Sequence, residues 1–203
     1  MAQLWTFAVS VLLTLSAQAQ NAKPLFDGKS LTGWKVTPFK DHGVVRVENG
    51  AIVLGAGKPL TGVNYTGELP KTNYEVSFEA QRIEGGDFFA SLTFPFGDSF
   101  CTWVTGGWGG DIVGLSSIDG WDASDNETRT YVNFESGRWY AFRLRVTPER
   151  ITGWIDGKEI VRVDIGGRTI GLRYGDIKLS APFGFASYNT KGAVRKIEVR
   201  ASR

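Results

Sequence analysis

The stretch Ser116 to Arg129, SSIDGWDASDNETR, gathers Asp119, Asp122, Asp125, Asn126 and Glu127 in one polar segment. Carboxylates this close together offer oxygen ligands for a divalent cation, with Asp119, Asp122 and Glu127 as the candidate set, or else an acid/base pair. Crowding should raise the pKa of at least one of them unless a cation neutralises it. The spacing is not the D-x-D-x-D-G of an EF-hand, and a solvated acidic loop is the competing reading. Asp87 leads out of Gly85-Gly86 into an apolar run. It is either a turn residue, a base or a hydrogen-bonding group. His42 is the only imidazole and lies in the turn Lys40-Asp41-His42-Gly43. Histidine suits general-base work, but an exposed loop histidine without a visible partner is the competing reading and is favoured. Trp103, Trp108 and Trp121 stand in or near this middle region. An indole face stacks on flat apolar ligand surfaces, and the glycines around Trp108 would let a ligand approach closely. Asn126 adds a neutral donor and acceptor. Trp103, in Phe100-Cys101-Thr102-Trp103-Val104, reads as core rather than surface, whereas Trp108 and Trp121 read as exposed. Cys101, the one cysteine, reads as a small buried hydrophobe.

The elements that must position these groups read as strands. Tyr74, Val76, Phe78 and Ala80 alternate with Glu75, Ser77 and Glu79. Period-two alternation marks a half-buried strand. In 140–146 the same pattern turns Phe142, Leu144 and Val146 inward. Arg150–Ile155 and Lys158–Val163 flank Asp156-Gly157, a two-residue hairpin turn. Phe183–Tyr188 and Val194–Val199 form a second pair near the end of the chain. Asp27-Gly28, Asn49-Gly50 and Asp119-Gly120 are further turn signals. No helix of three turns and no fixed repeat is apparent. Many short strands joined by turns give an all-β chain, a β-sandwich or barrel. Gly106-Gly107-Trp108-Gly109-Gly110 has no helix after it, so it is not a phosphate-cradling loop.

Composition removes several function classes. Lys and Arg number 23 against 21 Asp and Glu, a net charge of +2. That balance lacks the basic stripe of a nucleic-acid binder. One cysteine and one histidine exclude a disulfide framework, a cysteine zinc cluster and a multi-histidine metal site. The 26 glycines among 203 residues are well above the usual share of about 7% and agree with a turn-rich chain. Residues 1–19 read as a secretory signal peptide: an apolar run from Leu4 to Leu15, then Ala17-Gln18-Ala19 as the cleavage site. The run is too short to span a membrane, and no cysteine follows it to carry a lipid anchor. The expected organisation is therefore a leader over 1–19 and one domain over 20–203, secreted or periplasmic.

The string Pro24-Leu25-Phe26-Asp27-Gly28-Lys29-Ser30-Leu31-Thr32-Gly33-Trp34-Lys35 resembles the opening of the 3-keto-disaccharide hydrolase domain family. Val45 to Ile52 resembles that family's next strand and turn, and Phe183 to Ile197 is similar to its last two strands. Gly137-Arg138-Trp139-Tyr140 through Lys158 resembles the late meander of concanavalin A-like sandwiches. The resemblance implies a concanavalin A-like jelly-roll β-sandwich of two antiparallel sheets with a carbohydrate site on the concave face. It also implies cleavage of glycosides already oxidised to a ketone at C3. That reaction needs a base for the C2 hydrogen, a proton for the leaving oxygen and a group to stabilise the enolate. A divalent cation is one candidate for the last task, and no other cofactor is expected. Asp87, Asp119, Asp122, Glu127 and His42 are then the catalytic candidates. Trp103, Trp108, Trp121 and Asn126 are candidates for binding an oligosaccharide or glycoside. In 85–93 the chain has Gly-Gly-Asp-Phe-Phe-Ala-Ser-Leu-Thr where better-known members carry a Gly-Asn-Ser-Gly-like stretch ending in Arg. Asp87 takes the place of the Asn and Thr93 that of the Arg, which points to a divergent branch. No E-x-D-x-E strand occurs, which excludes a retaining endoglucanase of the laminarinase type. A lectin-like module that binds sugar without cleaving it is the alternative.

Overall fold

The alternation of Tyr74 to Ala80 runs on to Glu84 as an 11-residue strand at the centre of a sheet. In this computed structural model residues 22–202 are described. The leader expected over 1–19 lies outside the described residues. In chain order the strands are β1 (Lys23–Pro24), β2 (Trp34–Val36), β3 (Val45–Glu48), β4 (Ala51–Leu54), β5 (Leu60–Tyr65), β6 (Tyr74–Glu84), β7 (Ser91–Phe96) and β8 (Ser99–Gly107). They continue as β9 (Ile112–Ser116), β10 (Thr130–Tyr131), β11 (Tyr140–Val146), β12 (Arg150–Ile155), β13 (Lys158–Asp164), β14 (Gly184–Tyr188) and β15 (Lys191–Ala201). One sheet has the order β13-β12-β11-β6-β15-β4-β3, with β1 pairing on β15. The other has the order β10-β9-β8-β7-β14-β5-β2. Every pair is antiparallel, and the sole helical piece among the described residues is a 3-10 turn at Asp176–Ser180. This is the expected all-β jelly-roll sandwich.

The core lies between the sheets, because each contributes the apolar half of its alternation. Phe78 and Phe142, neighbours on β6 and β11, stack with ring centroids 4.9 Å apart. Trp103 and Phe185 meet Phe78 edge-on from the opposite sheet. Trp103 is fully buried, 0% exposed. Gly153 of β12 makes the room for its indole: a Cβ there would stand 2.9 Å from Cζ2 of Trp103. Cys101 is buried on the same strand, and burial pushes its thiol pKa up to about 12. The outer face of the β6 sheet is held by charge. Glu75, 3% exposed, takes Arg143, Arg145 and Arg200 around its carboxylate.

The other sheet turns a different surface outward. Ala186 of β14 is opposite both Gly62 of β5 and Ser91 of β7. Thr93 is opposite Thr102, which in turn is opposite Ser116. These are small or hydroxyl-bearing side chains, so the concave face has room over it. A strap formed by residues 171–183 crosses that room. The Asn64 side-chain amide grips it from below, donating to the carbonyls of Leu179 and Ala181 at 3.0 and 3.1 Å. Phe39, Leu60 and Ala186, with Phe88, fill the space beneath, and Ile177 of the strap packs onto them.

Candidate functional site

Between strap and sheet lies a cavity of about 360 Å³. That is the low end of the range for small-molecule sites, about 300–1,000 Å³. Its floor is Ser91, Thr102, Val104 and Ser116, its strap wall Arg173, Tyr174, Asp176 and Ile177, and the remaining lining includes Asp87, Phe88, Trp108 and Tyr188. Two of the floor hydroxyls are set to donate, while Thr102 Oγ1 pairs with Thr93 Oγ1 at 2.9 Å. Ser91 Oγ accepts from the backbone N–H of Thr105 (3.1 Å), and Ser116 Oγ accepts from that of Ala123 (2.9 Å). A hydroxyl that accepts from the backbone keeps its own O–H for a ligand acceptor. Phe88 and Tyr188 lie with ring centroids 5.6 Å apart and add aromatic surface.

Asp87 is held by its own turn. Its Oδ1 accepts from the Phe88 N–H at 2.7 Å and its Oδ2 from the Gly109 N–H at 3.3 Å. Its backbone N–H donates to Thr190 Oγ1 at 3.0 Å. The carboxylate is thereby tied to the loop that carries Trp108. Trp108 is 40% exposed and sits at φ 50°, a left-handed conformation that is an outlier for a bulky residue. Arg82 braces that loop from inside the sandwich. Its guanidinium is buried and donates to the carbonyls of Gly110, at 3.1 Å, and Phe134. Gly110 must lack a side chain, since a Cβ would stand 2.8 Å from the Gly86 carbonyl oxygen and 2.9 Å from Arg82 Nη1.

The acidic segment is organised differently from its expected role. Arg168 stands between Asp119 and Glu127, 2.5 Å from an oxygen of each. The Thr169 N–H, then Arg168, hold the Asp119 carboxyl below its ordinary pKa, and Arg168 does the same for Glu127. Neither pKa is raised, because the cation that neutralises the pair is a guanidinium of this chain. Asp122 turns instead to Arg173, at 2.8 Å. Among the described residues no three His, Cys, Asp or Glu side chains converge, so Asp119, Asp122 and Glu127 do not fit a divalent cation. Asn126 is committed to the loop as well. Its amide donates to the carbonyls of Leu115, Trp121 and Asp122, and its Oδ1 accepts from Thr128. It is a bracket, with no group left over for a ligand.

The candidates thus separate. The cavity brings together Asp87 and Trp108, with Asp122 behind Arg173. Trp121 is 64% exposed but lies outside the lining. Trp103 lies in the core, so it offers no face to a ligand. His42 is exposed on its turn, with Nδ1 2.9 Å from the Gly43 carbonyl oxygen, and does not line the cavity. Ser91, Thr102, Ser116, Arg173, Tyr174 and Asp176 are cavity residues that the sequence reading missed. A cue was present in Arg173-Tyr174-Gly175-Asp176, which mixes a cation, an aromatic, a glycine and a carboxylate in one loop.

Residues 21–200 match the model of a family described as the 3-keto-alpha-glucoside-1,2-lyase-like domain. No curated protein sequence matches the chain. Among solved structures, the fold is similar to the Crh5 transglycosylase in complex with NAG, with a TM-score of 0.60 and 12% identity over 89% of this chain and 83% of that one. Domain 4 of the arabinanase AbnA from Geobacillus stearothermophilus, in complex with arabinotriose, gives a TM-score of 0.59 and 16% identity over 90% and 91%. The carbohydrate-binding module CBM66 from Bacillus subtilis gives a TM-score of 0.57 and 9% identity over 83% and 96%. The shared feature is the sandwich fold, found in glycoside-processing enzymes and in carbohydrate-binding modules alike.

Proposed function

This chain belongs to the 3-keto-alpha-glucoside-1,2-lyase-like domain family, and from that premise we propose that it cleaves 3-keto-glycosides in the concave-face cavity, by elimination followed by hydration. The observation that carries the proposal is the lining itself. Asp87 and Asp176 supply two carboxylates, Ser91, Thr102 and Ser116 supply hydroxyls, and Trp108 and Tyr188 supply ring faces. A sugar presents apolar faces rimmed by hydroxyls and needs this mixture.

The chemistry follows from the ketone. A carbonyl at C3 acidifies the hydrogen at C2. Asp87, held by two backbone N–H groups, takes that proton. The bond from C1 to the leaving oxygen then breaks, Asp176 delivers a proton to the departing alcohol, and water adds to the resulting C1–C2 double bond. The fold supports a second reading as well. CBM66 is a binding module, and the same cavity would bind sugar without chemistry. The apolar run before Ala17-Gln18-Ala19 supports export of the chain.

The deciding experiment incubates the purified protein with 3-keto-trehalose and with methyl 3-keto-glucosides and follows the products by NMR. Release of the aglycone alcohol with loss of the C2 hydrogen to solvent is expected, and Asp87→Asn should abolish both. Saturable binding with no turnover would replace the enzyme reading with the binding-module reading.

A further inference from the structure

Enolate formation at C3 builds negative charge on an oxygen inside the cavity, and something positive has to meet it. Asp119, Asp122 and Glu127, the carboxylates expected to hold a divalent cation, lie outside the lining and are paired with arginines instead. Among the described residues the lining holds a single cationic side chain, Arg173. We propose that Arg173 is the electrophilic catalyst of this cavity, its guanidinium stabilising the enolate oxygen that forms when C2 is deprotonated. This rests on the proposed cleavage of 3-keto-glycosides.

Two contacts fix the guanidinium before any ligand arrives. Asp122 holds Nη1 at 2.8 Å. The Trp108 ring lies beside the guanidinium carbon, 5.4 Å from centroid to Cζ. A guanidinium carries five N–H donors in a rigid plane, and one salt bridge leaves most of them for a ligand. Donors already in place cost no reorganisation when the charge develops. Asp122 is then a positioning residue: it acts through Arg173 and lies outside the lining. Trp108 has a second task, since the ring that stacks on the sugar also walls the guanidinium into place.

The step balances. The electron pair of the C2–H bond becomes the C2–C3 double bond, the carbonyl pair moves onto O3, and the proton goes to Asp87. Arg173 donates N–H bonds to O3 without giving up a proton. On collapse the C3 carbonyl returns, the C1–C2 double bond forms, and the glycosidic oxygen leaves with a proton. No electrons enter or leave the system.

The test compares the parent with Arg173→Ala, Arg173→Gln and Asp122→Asn. Each is checked by circular dichroism and thermal melting, and each is assayed with methyl 3-keto-glucoside for kcat, KM and exchange of the C2 hydrogen in D2O. Loss of an oxyanion donor costs about 10²–10³ in kcat, so Arg173→Ala and the uncharged but hydrogen-bonding Arg173→Gln should both fall by that factor with KM nearly constant. Added guanidinium ion should restore part of the Arg173→Ala rate, and Asp122→Asn should lose about tenfold in kcat while keeping its melting temperature. A chelator should leave the parent rate unchanged. Turnover by the parent together with an Arg173→Gln rate within about threefold of it overturns this proposal alone. So does chelator inhibition that Mn2+ or Ca2+ reverses, since the electrophile is then a metal. A parent with neither turnover nor C2 exchange overturns the 3-keto-glycoside reading, and this proposal with it.

Discussion

Replacing Gly153 by alanine should destabilise the fold through one identifiable collision. The new Cβ would stand 2.9 Å from Cζ2 of Trp103, 3.2 Å from Cε2 and 3.3 Å from Cη2. Carbon atoms at ordinary contact are about 3.5–4.0 Å apart, so the methyl overlaps the indole edge by roughly half an ångström or more. The indole cannot retreat easily, because Phe78 and Phe142 close on it edge-on at 6.4 and 5.5 Å between ring centroids. Overpacking of this kind costs about 1–3 kcal/mol. For a chain of this size each kcal/mol lowers Tm by about 2–4 °C, which gives an expected fall of roughly 2–12 °C. Trp103→Phe removes the outer ring that the methyl would strike, at the cost of a cavity. The double variant should therefore be more stable than the sum of the single changes, with a coupling of about 1 kcal/mol or more. Calorimetry or melting followed by circular dichroism on all four proteins measures this. A Gly153→Ala protein that melts with the parent, or two changes that simply add, would refute the collision between residue 153 and the indole.

Trp108→Ala should weaken sugar binding at least about tenfold, since the ring walls the cavity, yet should lower Tm far less than Trp103→Ala, which empties a core site worth about 3–5 kcal/mol. Titration calorimetry and melting on the two variants separate the roles. Acidification should release the 117–129 segment before the rest of the fold. The folded pKa values of Asp119 and Glu127 lie below their ordinary values of 3.8 and 4.5. Their contribution is therefore present above those ordinary values and is lost as pH falls through the lowered folded ones. Hydrogen exchange at Ile118 and Ala123, followed from pH 6 down, checks the order; global unfolding without prior loosening there would count against it.

Most strands were legible because their information is local; the pair expected of 183–188 with 194–199 was not, since β14 joins β5 and β7 while β15 joins β4 and β6 in the opposite sheet. The alternation from Tyr74 to Ala80 and the turn Asp156-Gly157 each specify their geometry within a few residues, and both stand as read. The exposure of Trp108 and the burial of Trp103 followed from their neighbours in the same way. The cavity was not local. Its floor takes Ser91 from β7, Thr102 and Val104 from β8 and Ser116 from β9, and serine and threonine carry no distinctive pattern in sequence. Charge was misread for a related reason. Asp119 looked crowded by Asp122 and Glu127, but the residue that decides its state, Arg168, is 49 positions along the chain. A carboxylate cluster and a set of carboxylate–arginine pairs look identical until the pairing is known.

The strap over the concave sheet has a consequence for what can enter. An open sandwich face is a trough with two ends, and a polymer laid along it can be gripped anywhere in its length. Here Asn64 ties the crossing segment down by Leu179 and Ala181, and the segment's own Ile177 packs onto the cluster of Phe39, Leu60 and Ala186 beneath. The trough is dammed. On the proposed carbohydrate reading, a crossing segment tied down in this way favours a short glycoside, or the last unit of a longer chain, over a polysaccharide laid along the sheet.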